Sequence, residues 1–301
     1  MTIKNVGFIG LGTMGGPMAR RILEGGFSLT VYDINPDAVN ELVDTGALAC
    51  GSAAEAARQA DAVCTIVPDS PHVEEAILGE AGVLRGARPG TLIVEMSTID
   101  PQVTQRIAEK AAALGVRMID APVCRSNEHA KRGELMILVG GTKKDYDEAL
   151  PILRCMGDTF HHCGPVGSGL TMKLINNMLG QGIALAVCEA LTLGVKAGLD
   201  LKRVMDVFSG TAVSNKFMEV VYREYALRGN FDLGFALELA HKDVGHALRM
   251  AARHGSPCPA ASMAHTFQNI AISQGKGRWD HTALLTVFES MAGVEVRCEE
   301  E

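Results

Sequence analysis

Val6-Gly7-Phe8-Ile9-Gly10-Leu11-Gly12-Thr13-Met14-Gly15-Gly16-Pro17-Met18 sets a short apolar run directly before three glycines spaced G-x-G-x-x-G. Val6 to Ile9 predicts a buried strand and Pro17 to Glu24 an amphipathic helix, so the glycines occupy the turn between them. Gly10 permits the tight turn, Gly12 lets a diphosphate reach the backbone, and Gly15 lets helix and strand approach closely. Leu11, Thr13 and Met14 complete the loop. The first turn of the helix then offers unpaired N–H groups and the positive end of its dipole to an anion. Asp33 ends a second apolar run, Leu29 to Tyr32, and lies 33 − 15 = 18 residues after Gly15. A carboxylate about 20 residues beyond such glycines accepts hydrogen bonds from ribose hydroxyls. The alternative is that Asp33 caps the next helix. Ile34, Asn35 and Pro36 supply no cation for a 2′-phosphate, so NAD is expected rather than NADP.

The same alternation continues outward. Runs rich in Val and Ile recur at Ala62 to Val67, Leu92 to Val94, Met118 to Ile119 and Leu135 to Val139, with helix-like stretches such as Pro101 to Leu114 between them. This order predicts βαβ units and a largely parallel sheet. Beyond Gly164-Pro165-Val166-Gly167-Ser168-Gly169 the strand signals stop. A Pro-free stretch from Leu170 to about Ala197 predicts a helix longer than the globular norm. Helical segments are expected at roughly 200–209, 214–228, 236–254, 259–274 and 280–291. The glycine cluster marks the expected boundary between a dinucleotide-binding domain, 1–164, and a helical domain, 165–301. Glu299 to Glu301 reads as a solvated tail.

Composition narrows the function classes. The 301 residues are 47% hydrophobic and 21% charged, which supports a core and argues against disorder. A net charge of −7, 5% aromatics and no dense basic run argue against a nucleic-acid partner. The cysteines form no C-x-x-C pair, and neighbouring His161 and His162 lack a third ligand, so no metal is expected. No run of about 18 uncharged apolar residues stands out, and no membrane partner is expected. Met1 to Asn5 lacks the layout of a secretory signal. With reduced thiols as the default, a cytoplasmic location is expected.

Further motifs carry a resemblance. Asp120-Ala121-Pro122-Val123 precedes Gly133 to Gly141, Gly167-Ser168-Gly169-Leu170-Thr171-Met172-Lys173-Leu174-Ile175-Asn176-Asn177 follows, and Ala240-His241-Lys242-Asp243 comes last. With the glycine loop, these resemble the signatures of the β-hydroxyacid dehydrogenase family, in order, over nearly the whole chain. The resemblance implies an α/β fold: an N-terminal Rossmann-type, mainly parallel sheet, a long interdomain helix and an all-α C-terminal domain. It further implies NAD-dependent oxidoreduction at a CH–OH group of a small anionic substrate, in a homodimer or homotetramer. Lys173 is then the catalytic residue, with Asn177 beside it and Asn176 near the substrate. Val67 and Pro68 line the cofactor, Ser97 and Thr98 lie near the nicotinamide ribose, and Lys242 reaches the cofactor. The chemistry of Lys173 also stands alone: a carbonyl taking hydride at carbon needs a proton at oxygen, and an ammonium supplies it together with stabilising charge. Outside the motif, Lys173 and Lys242 would read as solvated helix lysines.

The loop after Pro122-Val123 departs from the family's Ser-Gly-Gly and reads Cys124-Arg125-Ser126-Asn127. These four are the expected substrate-binding residues. Arg125 brings a fixed charge and a donor fork suited to oxyanions. The loop is similar to that of the sulfolactaldehyde reductase branch, which implies reduction of 3-sulfolactaldehyde to 2,3-dihydroxypropane-1-sulfonate with Lys173 as proton donor. That branch typically carries Thr-Ser after the arginine, where this chain has Ser126-Asn127. Dehydrogenases of 3-hydroxyisobutyrate, tartronate semialdehyde or 2-hydroxymethylglutarate are the alternatives. For Arg125 the alternative is a salt bridge across the domain interface. The competing class is a non-catalytic NAD-sensing or protein-binding module.

Overall fold

In the computed structural model, which describes residues 3–232 and 234–298, successive residues of the central strands bury opposite faces of one sheet. Phe8, Cys64, Val94 and Ile119 join one core cluster, and Ile9, Val63, Ile93 and Met118 join the other. Burial on both faces is why these strands read as unbroken apolar runs. Among the described residues there are nine strands: β1 (Asn5–Ile9), β2 (Ser28–Tyr32), β3 (Leu48–Ala49), β4 (Ala62–Thr65), β5 (Leu92–Glu95), β6 (Arg117–Asp120), β7 (Val123–Cys124), β8 (Leu135–Gly140) and β9 (Gly157–Gly164). Helices α1 (Gly15–Glu24), α2 (Pro36–Val43), α3 (Ala53–Ala57), α4 (Ser70–Leu78), α5 (Val83–Gly86), α6 (Pro101–Ala112), α7 (Asn127–Arg132) and α8 (Lys143–Met156) alternate with them. The order β3-β2-β1-β4-β5-β6 is parallel throughout; β8 then pairs antiparallel with β6 and β7, and β9 runs parallel to β8. This is the Rossmann strand order, which brings the carboxyl ends of β1, β4 and β5 to a common edge where such sheets bind ligands.

The chain divides into two compact units, one ending at Lys173 and the other beginning at Leu174. The division falls inside α9 (Ser168–Lys196), whose Leu170 belongs to the core of the first unit. The second unit is helical: α10 (Leu201–Ser209), α11 (Leu237–Arg253), α12 (Pro259–Ala271) and α13 (Leu285–Ala292), around a core that includes Cys188, Leu191, Met205 and Tyr222.

Several expectations are corrected. Residues 214–228 form a π-helical turn, Phe217–Tyr222, and a short 3-10 turn, Ala226–Arg228, rather than one α-helix. The segment expected at 280–291 opens as a 3-10 turn before α13. β3, β7 and β9 were not legible as strands: the first two are only two residues long, and β9 is half-exposed and carries Asp158, His161 and His162 instead of an apolar run. By length and composition alone α9 is apolar enough to cross a membrane, although its uncharged stretch between Lys173 and Glu189 is only 15 residues long. The expected tail, Glu299 to Glu301, lies outside the described residues.

Candidate active site

At the end of β1 the backbone turns through Gly10, whose φ of 92° lies in the left-handed region that favours glycine. A Cβ there would meet the Ile66 carbonyl oxygen at 2.0 Å, and one on Gly15 would meet the Gly10 oxygen at 1.9 Å. β1, β4 and α1 therefore close on one another only because neither position has a side chain. Gly12 is different: a Cβ on it would meet nothing within 4 Å. The N-terminus of α1, with half-buried Met14 at its cap and exposed Thr13 before it, carries no side-chain cap and no acidic residue in its first turn. An open glycine backed by free N–H groups fits a dinucleotide diphosphate. Asp33 does not cap α2; the Asn35 side chain does. One Asp33 oxygen accepts the N–H of Leu11 at 2.6 Å and the other that of Asn35 at 2.8 Å. The carboxylate thus ties the end of β2 to the glycine loop. It is half-buried, and each oxygen keeps a lone pair for a ribose hydroxyl.

Ser97 is 2% exposed, and its Oγ accepts the N–H of Val67 at 2.9 Å. Glu95, fully buried, accepts the N–H of Ser97 at 3.0 Å. The Ser97 hydroxyl therefore first holds the Val67-Pro68 loop at the height of β5. Thr98 is half-buried and Pro68 exposed at the same edge.

Lys173 and the substrate loop come together within the first unit: Nζ lies 3.8 Å from Sγ of Cys124. The loop is built around a left-handed residue, Arg125, with φ 82°. A glycine adopts that conformation at no cost, whereas an L-residue pays roughly 1–2 kcal/mol. Arg125 is held by partners in its own unit. Its guanidinium donates to the Glu134 carbonyl, to Asp158 at 2.8 Å and to the Thr159 hydroxyl at 3.2 Å, all within the first unit. The carboxylate of Asp158, at the start of β9, draws it there. Ser126 caps α7 by position, and its hydroxyl pairs with His129 at 2.8 Å. Asn127 Oδ1 is buried without a hydrogen-bond partner. That orphaned acceptor is the loop's one such buried side-chain atom among the described residues, and it suits a ligand hydroxyl.

In the second unit Asn177 donates to Asp243 at 2.7 Å, and Lys242 Nζ lies 3.3 Å from the other oxygen of the same carboxylate. Asp243 is 2% exposed. Exposed Asn176 donates to Asn177 at 3.2 Å. A cavity of about 290 Å³ is lined by Asn176, Asn177, Gln181, Phe217, Phe235 and His281. Gln181 receives a hydrogen bond from Gln268 at 2.8 Å and pairs with His281 at 3.2 Å. Burial pushes the His281 imidazole below its usual range. Sequence reasoning left Gln181 and His281 out of the site. Gln181 was within reach, since it follows Asn177 by one helical turn; His281 carried no local signal.

Residues 5–164 match the family model of the NAD binding domain of 6-phosphogluconate dehydrogenase, and residues 167–288 that described as NAD-binding of NADP-dependent 3-hydroxyisobutyrate dehydrogenase. A 2-(hydroxymethyl)glutarate dehydrogenase of Eubacterium barkeri is 35% identical over 291 residues, 97% of either chain. A 3-sulfolactaldehyde reductase of Escherichia coli (strain K12) is 35% identical over 292 residues, 97% of this chain and 98% of that one. The chain belongs to the β-hydroxyacid dehydrogenase family. A solved member, Mycobacterium tuberculosis 3-hydroxyisobutyrate dehydrogenase with L-serine, shares 28% identity and a TM-score of 0.87, over 95% of this chain and 99% of that one. This β-hydroxyacid dehydrogenase is accordingly an oxidoreductase acting on CH–OH groups with a nicotinamide dinucleotide. Equal identity to relatives named for different acids fixes the reaction type and leaves the acid open.

Proposed function

We propose that the enzyme uses NADH to reduce the aldehyde of a small anionic semialdehyde, with 3-sulfolactaldehyde as the first candidate and 2,3-dihydroxypropane-1-sulfonate as its product. The observation that carries the reading is the Lys173 ammonium standing 3.8 Å from Cys124 of the substrate loop. When bound, reduced nicotinamide supplies the hydride. Lys173 gives its proton to the carbonyl oxygen and stabilises the charge that develops there. Asn177, steadied by Asp243, holds the same oxygen's hydroxyl, and Asn127 Oδ1 takes a substrate donor. Asp33 and the absence of a cation at 34–36 favour NADH over NADPH. Arg125 exchanges Asp158 for the substrate's anion. The ion pair it leaves is partly exposed, 30% and 50% at the two side chains. Such pairs contribute about 0–1 kcal/mol, and the exchange also gives up the bonds to the Glu134 carbonyl and the Thr159 hydroxyl, which the substrate's anion replaces. The apolar side chains exposed on the helical unit, such as Leu193 and Met291, are the proposed contacts of a homodimer or homotetramer.

The test is NADH oxidation with 3-sulfolactaldehyde and with the semialdehydes of 3-hydroxyisobutyrate, tartronate and 2-hydroxymethylglutarate. A clear preference for the sulfonate supports the first candidate. Equal rates for sulfonate and carboxylate remove the special role of Arg125, and NADH binding without turnover on any of them rules out these four substrates.

A further inference from the structure

Asp120 ends β6 and is fully buried. Both of its oxygens face the start of α9: Oδ1 accepts the N–H of Gly167 at 2.6 Å, and Oδ2 that of Leu170 at 2.7 Å. N–H groups at the start of a helix have no partner within it, and a carboxylate is a strong acceptor for them. The surroundings leave no slack. A Cβ on Gly140 would lie 2.3 Å from Oδ1, and one on Gly169 2.9 Å from Oδ2. Leu170 is fixed in turn by the core it shares with Ile99, Ile107 and Met118.

Lys173 follows Leu170 by less than one helical turn of about 3.6 residues. Cys124, four residues after Asp120, meets the Lys173 ammonium. The short segment from Asp120 to Cys124 therefore touches α9 at two levels, at the backbone of its first turn and at the tip of Lys173. Burial raises the Asp120 carboxyl to about 6, so the site holds the charged form at a cost. The isosteric amide would avoid that cost but has one acceptor oxygen, whereas the two N–H groups here each meet a different oxygen.

We propose that Asp120 is a positioning residue for the proton-transfer step: its carboxylate clamps the first turn of α9 to the sheet and thereby sets where the Lys173 ammonium stands. The inference rests on the proton-donor role proposed for Lys173. Transfer steps are sensitive to placement, and a shift of about 1 Å can cost on the order of 100-fold in rate.

The experiment is a double-mutant cycle on NADH-dependent reduction, using the best substrate of the panel. Asp120→Asn keeps the size but turns a donor toward one of the two N–H groups. The folded variant is expected to bind NADH within about 3-fold of the parent and hold KM within about 3-fold, while kcat falls roughly 10- to 100-fold. Lys173→Ala is read with added methylamine to give a measurable rate. In that background Asp120→Asn should cost less than about 2-fold, because the side chain it positions is gone. If Asp120→Asn lowers the rate equally with and without Lys173, Asp120 acts on the fold at large and the inference fails while the donor role stands. An unchanged kcat in Asp120→Asn also overturns it. Full turnover in Lys173→Ala without amine sinks the donor role itself. Should Asn prevent folding, Asp120→Ser, smaller and able to accept one N–H, is taken through the same cycle.

Discussion

The glycine loop of the first unit and the polar network of the second are built in opposite ways. From Gly10 to Gly15 the site is backbone: its shape comes from missing side chains, and its glycines are near neighbours in sequence. In the helical unit the groups are side chains brought from afar. Gln181 and His281 are 100 positions apart, and Gln181 and Gln268 are 87. At Gly10 and Gly15 a backbone site leaves no room for a single added carbon. A side-chain network should tolerate small backbone shifts but not the loss of one polar atom, because its partners are buried and unpaired thereafter.

Lys173→Ala should give the largest effect, a fall in kcat of roughly 10²- to 10⁴-fold with NADH affinity little changed, read by steady-state rates and fluorescence titration. Retained turnover would break the assignment of the chemistry to α9. Next comes Gly15→Ala. Its Cβ would overlap the Gly10 oxygen, so stability should fall by about 1–3 kcal/mol or more, with NADH Kd raised at least 10-fold. Normal NADH binding in a well-folded Gly15→Ala would show that the loop can yield. Gln181→Leu leaves His281 and the Gln268 amide without their partner; a loss of about 1–3 kcal/mol in chemical denaturation is expected, with NADH affinity intact.

Arg125→Gly sharpens the comparison at a point where backbone and side chain compete. It removes a left-handed L-residue and, with it, an exposed ion pair, so stability should move by less than about 1 kcal/mol. If Arg125 also takes the substrate anion, KM for the sulfonate should rise about 10-fold; an unchanged KM would leave it a purely structural residue. The smallest effect is in pH. Burial lowers the imidazoles of His281, His241 and His265, all in the helical unit. Their contribution to stability is complete above the unfolded value of about 6.5 and is lost as pH falls through the lower folded values. Tm should therefore drop between pH 7 and 5, and less steeply in His281→Gln. Equal slopes would remove His281 from the account.

Legibility followed the same contrast. β1, β2, β4, β5, β6 and β8 were visible because buried strands read as apolar runs. β9 was hidden because its half-exposed surface needs no such run. The loop residues could be named in advance, but their contacts could not. Nothing near Arg125 in sequence announces Asp158, 33 positions away, and nothing near Ser97 announces its bond to Val67, which joins adjacent strand ends. Asp120 lies in the Asp120-Ala121-Pro122-Val123 motif, yet the donors it meets, Gly167 and Leu170, are 47 and 50 residues on.

The sequence by itself determined the parallel sheet, the glycine turn and the carboxylate at Asp33, because each depends on residue types at short, regular spacing, and four ordered motifs carried the resemblance to the family. Only the tertiary structure decided which acceptor meets which donor: Asp120 on the start of α9, Arg125 on Asp158, Asn177 on Asp243. Hydrogen bonds and ion pairs act over a few ångströms, and which distant side chains arrive within that range is set by how the elements pack.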